Sequence, residues 1–332
     1  MKIAYQTVCG GLMLALSSAS NADPQALPKL NVDIDQVTVS GLSSGGYMAG
    51  QFHVANADWV SGVGIVAAGP YYCARNSIMT ALSQCVSKVE GEIPLNEIEL
   101  QINQWREQNL LAPKHAMKDD KVWILHGTLD NKVVRPVVDA LYQQYQSWLG
   151  DNNLVYINDK PFAHHFPTLA SGADCNVSEA PFVASCDFAA ASIMLEHIAG
   201  YAAVEGKPGK LITVDQQALG GDTAKSLADE GYLYIPGNCL EGQNCKLHIS
   251  FHGCNQNAEA VGDAYASLTG INAWADNHNT LVLYPQTKKS SLMPMNPQAC
   301  WDWWGYTDEY YATKQGQQMS AVTQMVRSIK GN

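Results

Sequence analysis

Gly41-Leu42-Ser43-Ser44-Gly45 sets a serine between two glycines. This is the G-x-S-x-G spacing of a strand-to-helix elbow, where small flanking residues permit a strained turn that pushes a serine Oγ out of a sheet. An ordinary glycine-serine turn would carry the same letters, so the flanks decide. The β-branched run Val37-Thr38-Val39 predicts a strand before the motif, and Tyr47 to Ala55 predict a helix after it. Ser43 is the candidate nucleophile. The amide of Ser44 would sit at a helix N-terminus, where it can donate to an oxyanion.

A serine hydroxyl needs a base within hydrogen-bond reach, and the base needs a carboxylate to orient it. Asp130 lies just past the buried run Val122 to Leu125, in His126-Gly127-Thr128-Leu129-Asp130. That places it at the C-terminal edge of a strand, where sites form in open α/β sheets. The bland reading is a loop or N-cap aspartate. For the base, Ala163-His164-His165-Phe166-Pro167-Thr168 follows the next strand on the same edge. Two adjacent histidines point in different directions, so at most one fits. His126 and His252 precede glycines in turn motifs and read as structural, and His53 belongs to the elbow helix. Ser250-Phe251-His252-Gly253-Cys254 ends a strand, the place for a loop amide that completes an oxyanion hole.

The elements that must hold these residues alternate. Gly62 to Ala68, Lys121 to Leu125, Leu154 to Ile157, Leu247 to Phe251 and Thr280 to Tyr284 read as buried strands. Ile93 to Gln108, Pro136 to Trp148, Ala189 to Ala199, Ala258 to His278 and a terminal segment carrying Met319, Val322, Val326 and Ile329 read as helices. Leu211 to Asp229 is polar and reads as an insertion or a join between halves. The pattern predicts an α/β fold, a mostly parallel sheet with helices on both faces. The oxyanion strand follows the elbow instead of preceding it, which a circular permutation accounts for.

The chain has 332 residues, 46% hydrophobic and 15% charged, which suits a globular core and excludes a disordered tail. With 20 basic against 31 acidic residues, the net charge of -11 argues against a nucleic-acid partner. Met1 and Lys2, the apolar stretch Val8 to Leu16 and the small residues of Ser20-Asn21-Ala22 read as a signal peptide over 1–22. Residues 23–332 are then expected to form a single catalytic domain without a membrane span, secreted to the periplasm or beyond. Beyond Cys9, the eight cysteines suit an oxidising compartment. Their spacing suggests Cys73 with Cys85, Cys175 with Cys186, Cys239 with Cys245, and a longer bridge from Cys254 to Cys300. No Cys-x-x-Cys pair occurs, which places zinc well behind disulfides.

Taken in order, Gly41-Leu42-Ser43-Ser44-Gly45-Gly46, His126-Gly127-x-x-Asp130, His164-x-x-Pro167-Thr168, His252-Gly253-Cys254 and Cys300-Trp301-Asp302-Trp303 resemble the circularly permuted poly(3-hydroxybutyrate) depolymerases. The resemblance runs along nearly all of residues 23–332. It implies a circularly permuted α/β-hydrolase with Ser43 as nucleophile, Asp130 as orienting acid, His164 as base and the Ser44 and Cys254 amides as oxyanion hole. It implies a polyester or oligoester substrate and no metal or cofactor. No Thr-rich linker or appended binding module is expected. Trp301 is chosen, from a tryptophan-rich loop, as a residue that would contact an apolar polyester. The alternatives are an esterase acting on feruloyl or acetyl groups of polysaccharides with the same three residues, or a non-catalytic polymer-binding protein whose serine is idle.

Overall fold

A computed structural model describes residues 27–331; the leader expected at 1–22 lies outside them. Twelve strands occur among the described residues: β1 (Asn31–Val32), β2 (Val37–Leu42), β3 (Val60–Val66), β4 (Lys121–Gly127), β5 (Leu154–Lys160), β6 (Phe166–Thr168), β7 (Ala173–Asp174), β8 (Val183–Ser185), β9 (Lys210–Asp215), β10 (Glu230–Ile235), β11 (Asn244–Phe251) and β12 (Thr280–Tyr284). The large sheet runs β5-β4-β3-β2-β11-β12-β10-β9, with β1 added alongside β11. β10 is antiparallel to both its neighbours, and the other pairings in this sheet are parallel. In the sheet, β9 to β12 of the chain's second half lie on one side of β2 and β3 to β5 of its first half on the other, with only the two-residue β1 crossing to β11; this is the permuted order expected from the motifs.

Period-two alternation sorts side chains between the two faces. Val37, Val39, Val63, Ile65, Val122, Ile124, Leu247 and Ile249 enter one apolar layer, shared with the helices Leu95–Glu107, Arg135–Gln146 and Gln317–Lys330. Trp123, Leu125, Val282 and Tyr284 enter the other, under Ala190–Ile198 and Ile271–Asp276. The helix after the elbow, α1 (Ser44–Asn56), is buried at every position, as its apolar and small residues require.

Three expectations change. The long helix at Ala258 to His278 is three short ones, Ala258–Val261, Ala264–Leu268 and Ile271–Asp276, because Gly262 and Gly270 turn to φ 63° and 83° between them. The polar stretch from Leu211 is the edge strand β9 followed by a short helix, paired with β10, which the alternating tyrosines of Gly231-Tyr232-Leu233-Tyr234 did not announce as a strand. A second sheet, β6-β8-β7, was not foreseen.

Beneath the elbow, the face of β2 opposite Val37 and Val39 is polar. His248 of β11 places Nδ1 2.8 Å from Thr38 Oγ1 and Nε2 2.8 Å from Ser40 Oγ. Ser250 Oγ lies 3.3 Å from Ser40 Oγ and 3.0 Å from the Tyr265 hydroxyl. Burial pushes the His248 pKa down to about 3. Burial likewise lowers His252 to about 4, against the smaller upward pull of its bond to the Gly253 carbonyl. Both imidazoles are therefore neutral when folded, whereas unfolded they protonate near pH 6.5, so the unfolded chain binds more protons below that pH and stability falls as pH drops. Two such groups predict a loss of about 2–3 kcal/mol between pH 6 and pH 5. The lowered His126 and His165 act in the same sense, and the raised Asp276 and Asp302 act in the opposite one, adding stability as pH falls through their raised pKa values. Urea midpoints at closely spaced pH values check this; a flat profile across that interval contradicts it.

Candidate active site

Ser43 joins β2 to α1 at φ 57° and ψ -121°, a conformation that is costly for a residue with a Cβ. The backbone on either side over-determines it. The Ser43 amide donates to the Val66 carbonyl at 2.9 Å, and its carbonyl accepts the first helical bond, from Tyr47, at 3.0 Å. Gly45 is required by proximity: a Cβ there would lie 2.1 Å from the Phe251 carbonyl oxygen, so only glycine lets the start of α1 rest on the end of β11. That contact sets the Ser44 amide beside the loop Gly253-Cys254. Neither the Ser44 nor the Cys254 amide has an intramolecular acceptor among the described residues. Both residues line the same cleft.

The acid and the histidine meet by a crossing of two loops. The turn after β4 and the segment after β5 lie so close that a Cβ on Gly127 would be 2.1 Å from the Phe162 carbonyl oxygen. Leu129 donates to that carbonyl at 3.1 Å. Past the crossing, Asp130 Oδ2 lies 2.8 Å from His164 Nδ1, while Oδ1 accepts the amides of Lys132 at 2.8 Å and Val133 at 3.0 Å. Burial alone would raise the Asp130 carboxyl, but the His164 charge and hydrogen bond and these two amides outweigh it and hold its pKa below the ordinary value. An ionised carboxylate can only accept, so Nδ1 carries the imidazole proton and Nε2 presents a lone pair.

The neighbouring His165 points away. Its Nε2 donates to the Cys175 carbonyl at 2.7 Å, a packing role. The Cys175–Cys186 disulfide and the Ser178 hydroxyl, which donates to the His164 carbonyl at 3.0 Å, fasten this segment. His126 Nε2 donates to the Val133 carbonyl, and His53 pairs with Asp120 at 3.0 Å on the far side of α1; neither lines the cleft.

Ser43, Ser44, His164 and Cys254 line a cleft of about 940 Å³ whose walls are mostly apolar. Ile78, Leu82, Met293 and Met295 line it and are exposed. Trp301 does not face it. The ring is fully buried, edge-on to Phe251 with centroids 5.0 Å apart, because the residue leaves the Cys254–Cys300 bridge pointing into the core layer. Trp303 and Trp304 line the cleft in its place. Asp302 arranges them: Oδ1 accepts the amides of Trp304, Gly305 and Tyr306 and Oδ2 that of Thr307, curling the turn around one carboxylate. Gln256, which sequence reasoning missed, is buried and bridges the two loops. It accepts from the Gly253 amide at 2.7 Å and donates to the Pro181 carbonyl at 2.8 Å. A glutamine two residues past a cysteine carries no signal by itself.

All four cysteine pairs suggested by the spacing are disulfides: Cys73–Cys85, Cys175–Cys186, Cys239–Cys245 and Cys254–Cys300. No helix among the described residues is long and apolar enough to cross a membrane.

Comparison with known proteins agrees with this architecture. A family profile described as esterase PHB depolymerase matches residues 230–331. The polyhydroxybutyrate depolymerase of Talaromyces funiculosus is 31% identical over 345 residues, an alignment covering 99% of this chain and 97% of that protein. The chain belongs to the PHB depolymerase esterase family. A poly(3-hydroxybutyrate) depolymerase of Delftia acidovorans is 39% identical over 310 residues; the match takes in 91% of this chain and spans 61% of that relative's length. Among solved folds of the family, the crystal structure of PHB depolymerase from Penicillium funiculosum superposes with a TM-score of 0.84 at 31% identity, covering 92% of this chain and 99% of that one. A PHB depolymerase complexed with an R3HB trimer superposes equally well.

Proposed function

We propose that this chain is a secreted serine esterase that hydrolyses the ester bonds of poly(3-hydroxybutyrate) and related short-chain polyhydroxyalkanoates, with residues 23–332 as its single catalytic domain. The observation that carries the reading is the Asp130–His164 hydrogen bond in the wall of the cleft that the strained Ser43 enters. In this reading His164 Nε2 takes the proton of Ser43 Oγ as the oxygen attacks the ester carbonyl. The amides of Ser44 and Cys254 receive the developing oxyanion, each such donor contributing on the order of 10²–10³ in rate. Collapse breaks the carbonyl carbon–alkoxide bond, His164 returns the proton to the departing hydroxyl end of the polymer, and an acyl-enzyme remains on Ser43. Water, deprotonated by His164, then releases the carboxylic acid and restores the serine.

The relatives' named substrate and the trimer bound to the structural neighbour support a polyester. So does the cleft itself, apolar and lined by exposed Ile78, Leu82, Met293 and Met295, which suits a chain of methyl-bearing esters better than a sugar. The four disulfides fit an oxidising compartment outside the cytoplasm. Soluble 3-hydroxybutyrate oligomers are expected from a polymer film, with little ferulate or acetate from xylan under the same conditions. Mass analysis of the products decides, and the reverse pattern assigns the site to polysaccharide esters. Labelling by a fluorophosphonate probe is expected at Ser43; an unlabelled protein would be a binding module.

A further inference from the structure

Among the described residues lining the cleft, His164 is the one histidine and Lys132 the one Asp, Glu, Lys or Arg. It is exposed, and among the described residues its ammonium makes no ion pair and no hydrogen bond, in a chain of net charge -11. Its backbone is not free to wander. The Lys132 amide is held by Asp130 Oδ1, the other oxygen of the carboxylate that orients His164. One side chain therefore fixes both the imidazole and the root of the lysine. A cation on a four-carbon stem thus lines the same cleft as Ser43 and His164, whose other described lining residues include no Asp, Glu or Arg.

A polyhydroxyalkanoate is uncharged along its length and carries one anion, the carboxylate at its acid end. Each cleavage makes another such end. We infer that Lys132 anchors the free carboxylate of oligomeric substrates in the cleft and thereby favours cleavage of oligomers with an ionised acid end over neutral ones. The inference rests on the polyester reading above. An unpartnered ammonium beside apolar walls interacts with an anion more strongly than one fully surrounded by water, and its position relative to His164 fixes how many units lie between the acid end and the bond cut. Because the contact is made equally in ground and transition states, it acts on KM and not on kcat.

The test uses the purified disulfide-intact protein and two probes, the (R)-3-hydroxybutyrate trimer as free acid and as its methyl ester, at low and at 0.5 M salt. In the unaltered protein at low salt, kcat/KM is expected to favour the acid by about three- to ten-fold, the range of a partly screened charge contact, through KM, and the preference is expected to shrink in salt. Lys132→Met is expected to remove the preference, Lys132→Arg to keep it, and Lys132→Glu to reverse it. Fluorophosphonate titration gives the active fraction of each variant, so a folding defect is not mistaken for lost selectivity. Equal values for acid and ester in the unaltered protein, or a preference that survives Lys132→Met, overturns the inference. Hydrolysis of neither trimer would instead count against the polyester reading itself.

Discussion

Replacing Ser43 with alanine is expected to lower kcat/KM for a soluble butyrate ester by a factor on the order of 10⁴–10⁶, the range seen when an acyl-accepting serine is removed and only the oxyanion donors and binding remain. Circular dichroism and thermal unfolding should be nearly unchanged, since alanine pays the same cost at φ 57°. A second substitution separates chemistry from backbone strain. Ser43→Gly removes the same hydroxyl and also the Cβ that makes this conformation costly, about 1–3 kcal/mol for a residue so held, offset by about 0.5–1 kcal/mol of extra chain entropy. Ser43→Gly is therefore expected to be as inactive as Ser43→Ala and more stable than it by about 1 kcal/mol, read from urea midpoints. Turnover retained by either variant after removal of contaminating esterase would remove Ser43 from its proposed role. Equal stability of the two would mean that the elbow's strain is taken up elsewhere.

The elbow was legible from residue types because its demands are local. Gly45 must lack a Cβ where α1 meets β11, and a strand must precede a helix, so the pentapeptide and its flanks carry the geometry. The same holds for Gly127, whose absent side chain lets the Asp130 and His164 loops cross. The disulfides were legible because three of the four pairs close short loops, 12, 11 and 6 residues apart. What was not legible depends on contacts between distant segments. Whether Trp301 or its neighbours face the cleft turns on how the Cys254–Cys300 bridge directs one loop. A tryptophan run looks alike whichever ring is buried. Residue types alone left His164 and His165 open; the family resemblance favoured His164, and the difference between the rings lies in their partners, Asp130 for one and the Cys175 carbonyl for the other. Gln256 joins loops 75 residues apart through a side chain with no special spacing. The short strands β9 and β10 gain their identity from pairing with each other and with β12, not from their own composition.

Asp130 does two jobs with its two oxygens, and two substitutions are expected to pull them apart. In Asp130→Asn, the amide oxygen can keep the Lys132 and Val133 amides, so the turn and the Lys132 backbone stay in place. The amide nitrogen then faces His164 Nδ1 and can only donate, which selects the imidazole tautomer protonated at Nε2. In the proposed mechanism that nitrogen would then have no lone pair for the serine proton, and no negative charge would remain to stabilise an imidazolium formed during attack. A drop in kcat of about 10⁴ is expected from the wrong tautomer alone, with thermal stability close to that of the unaltered protein. Asp130→Ala is expected to lose a similar rate and, in addition, roughly 1–2 kcal/mol of stability as two amides lose their acceptor in a buried turn. Steady-state kinetics at saturating ester and urea unfolding on the same preparations give both numbers. If Asp130→Asn retained more than about a hundredth of the rate, two decades above that expectation, the carboxylate would be a structural brace for the Lys132 turn and the orientation of His164 would have to come from its own loop, through Ser178 and the Cys175–Cys186 bridge.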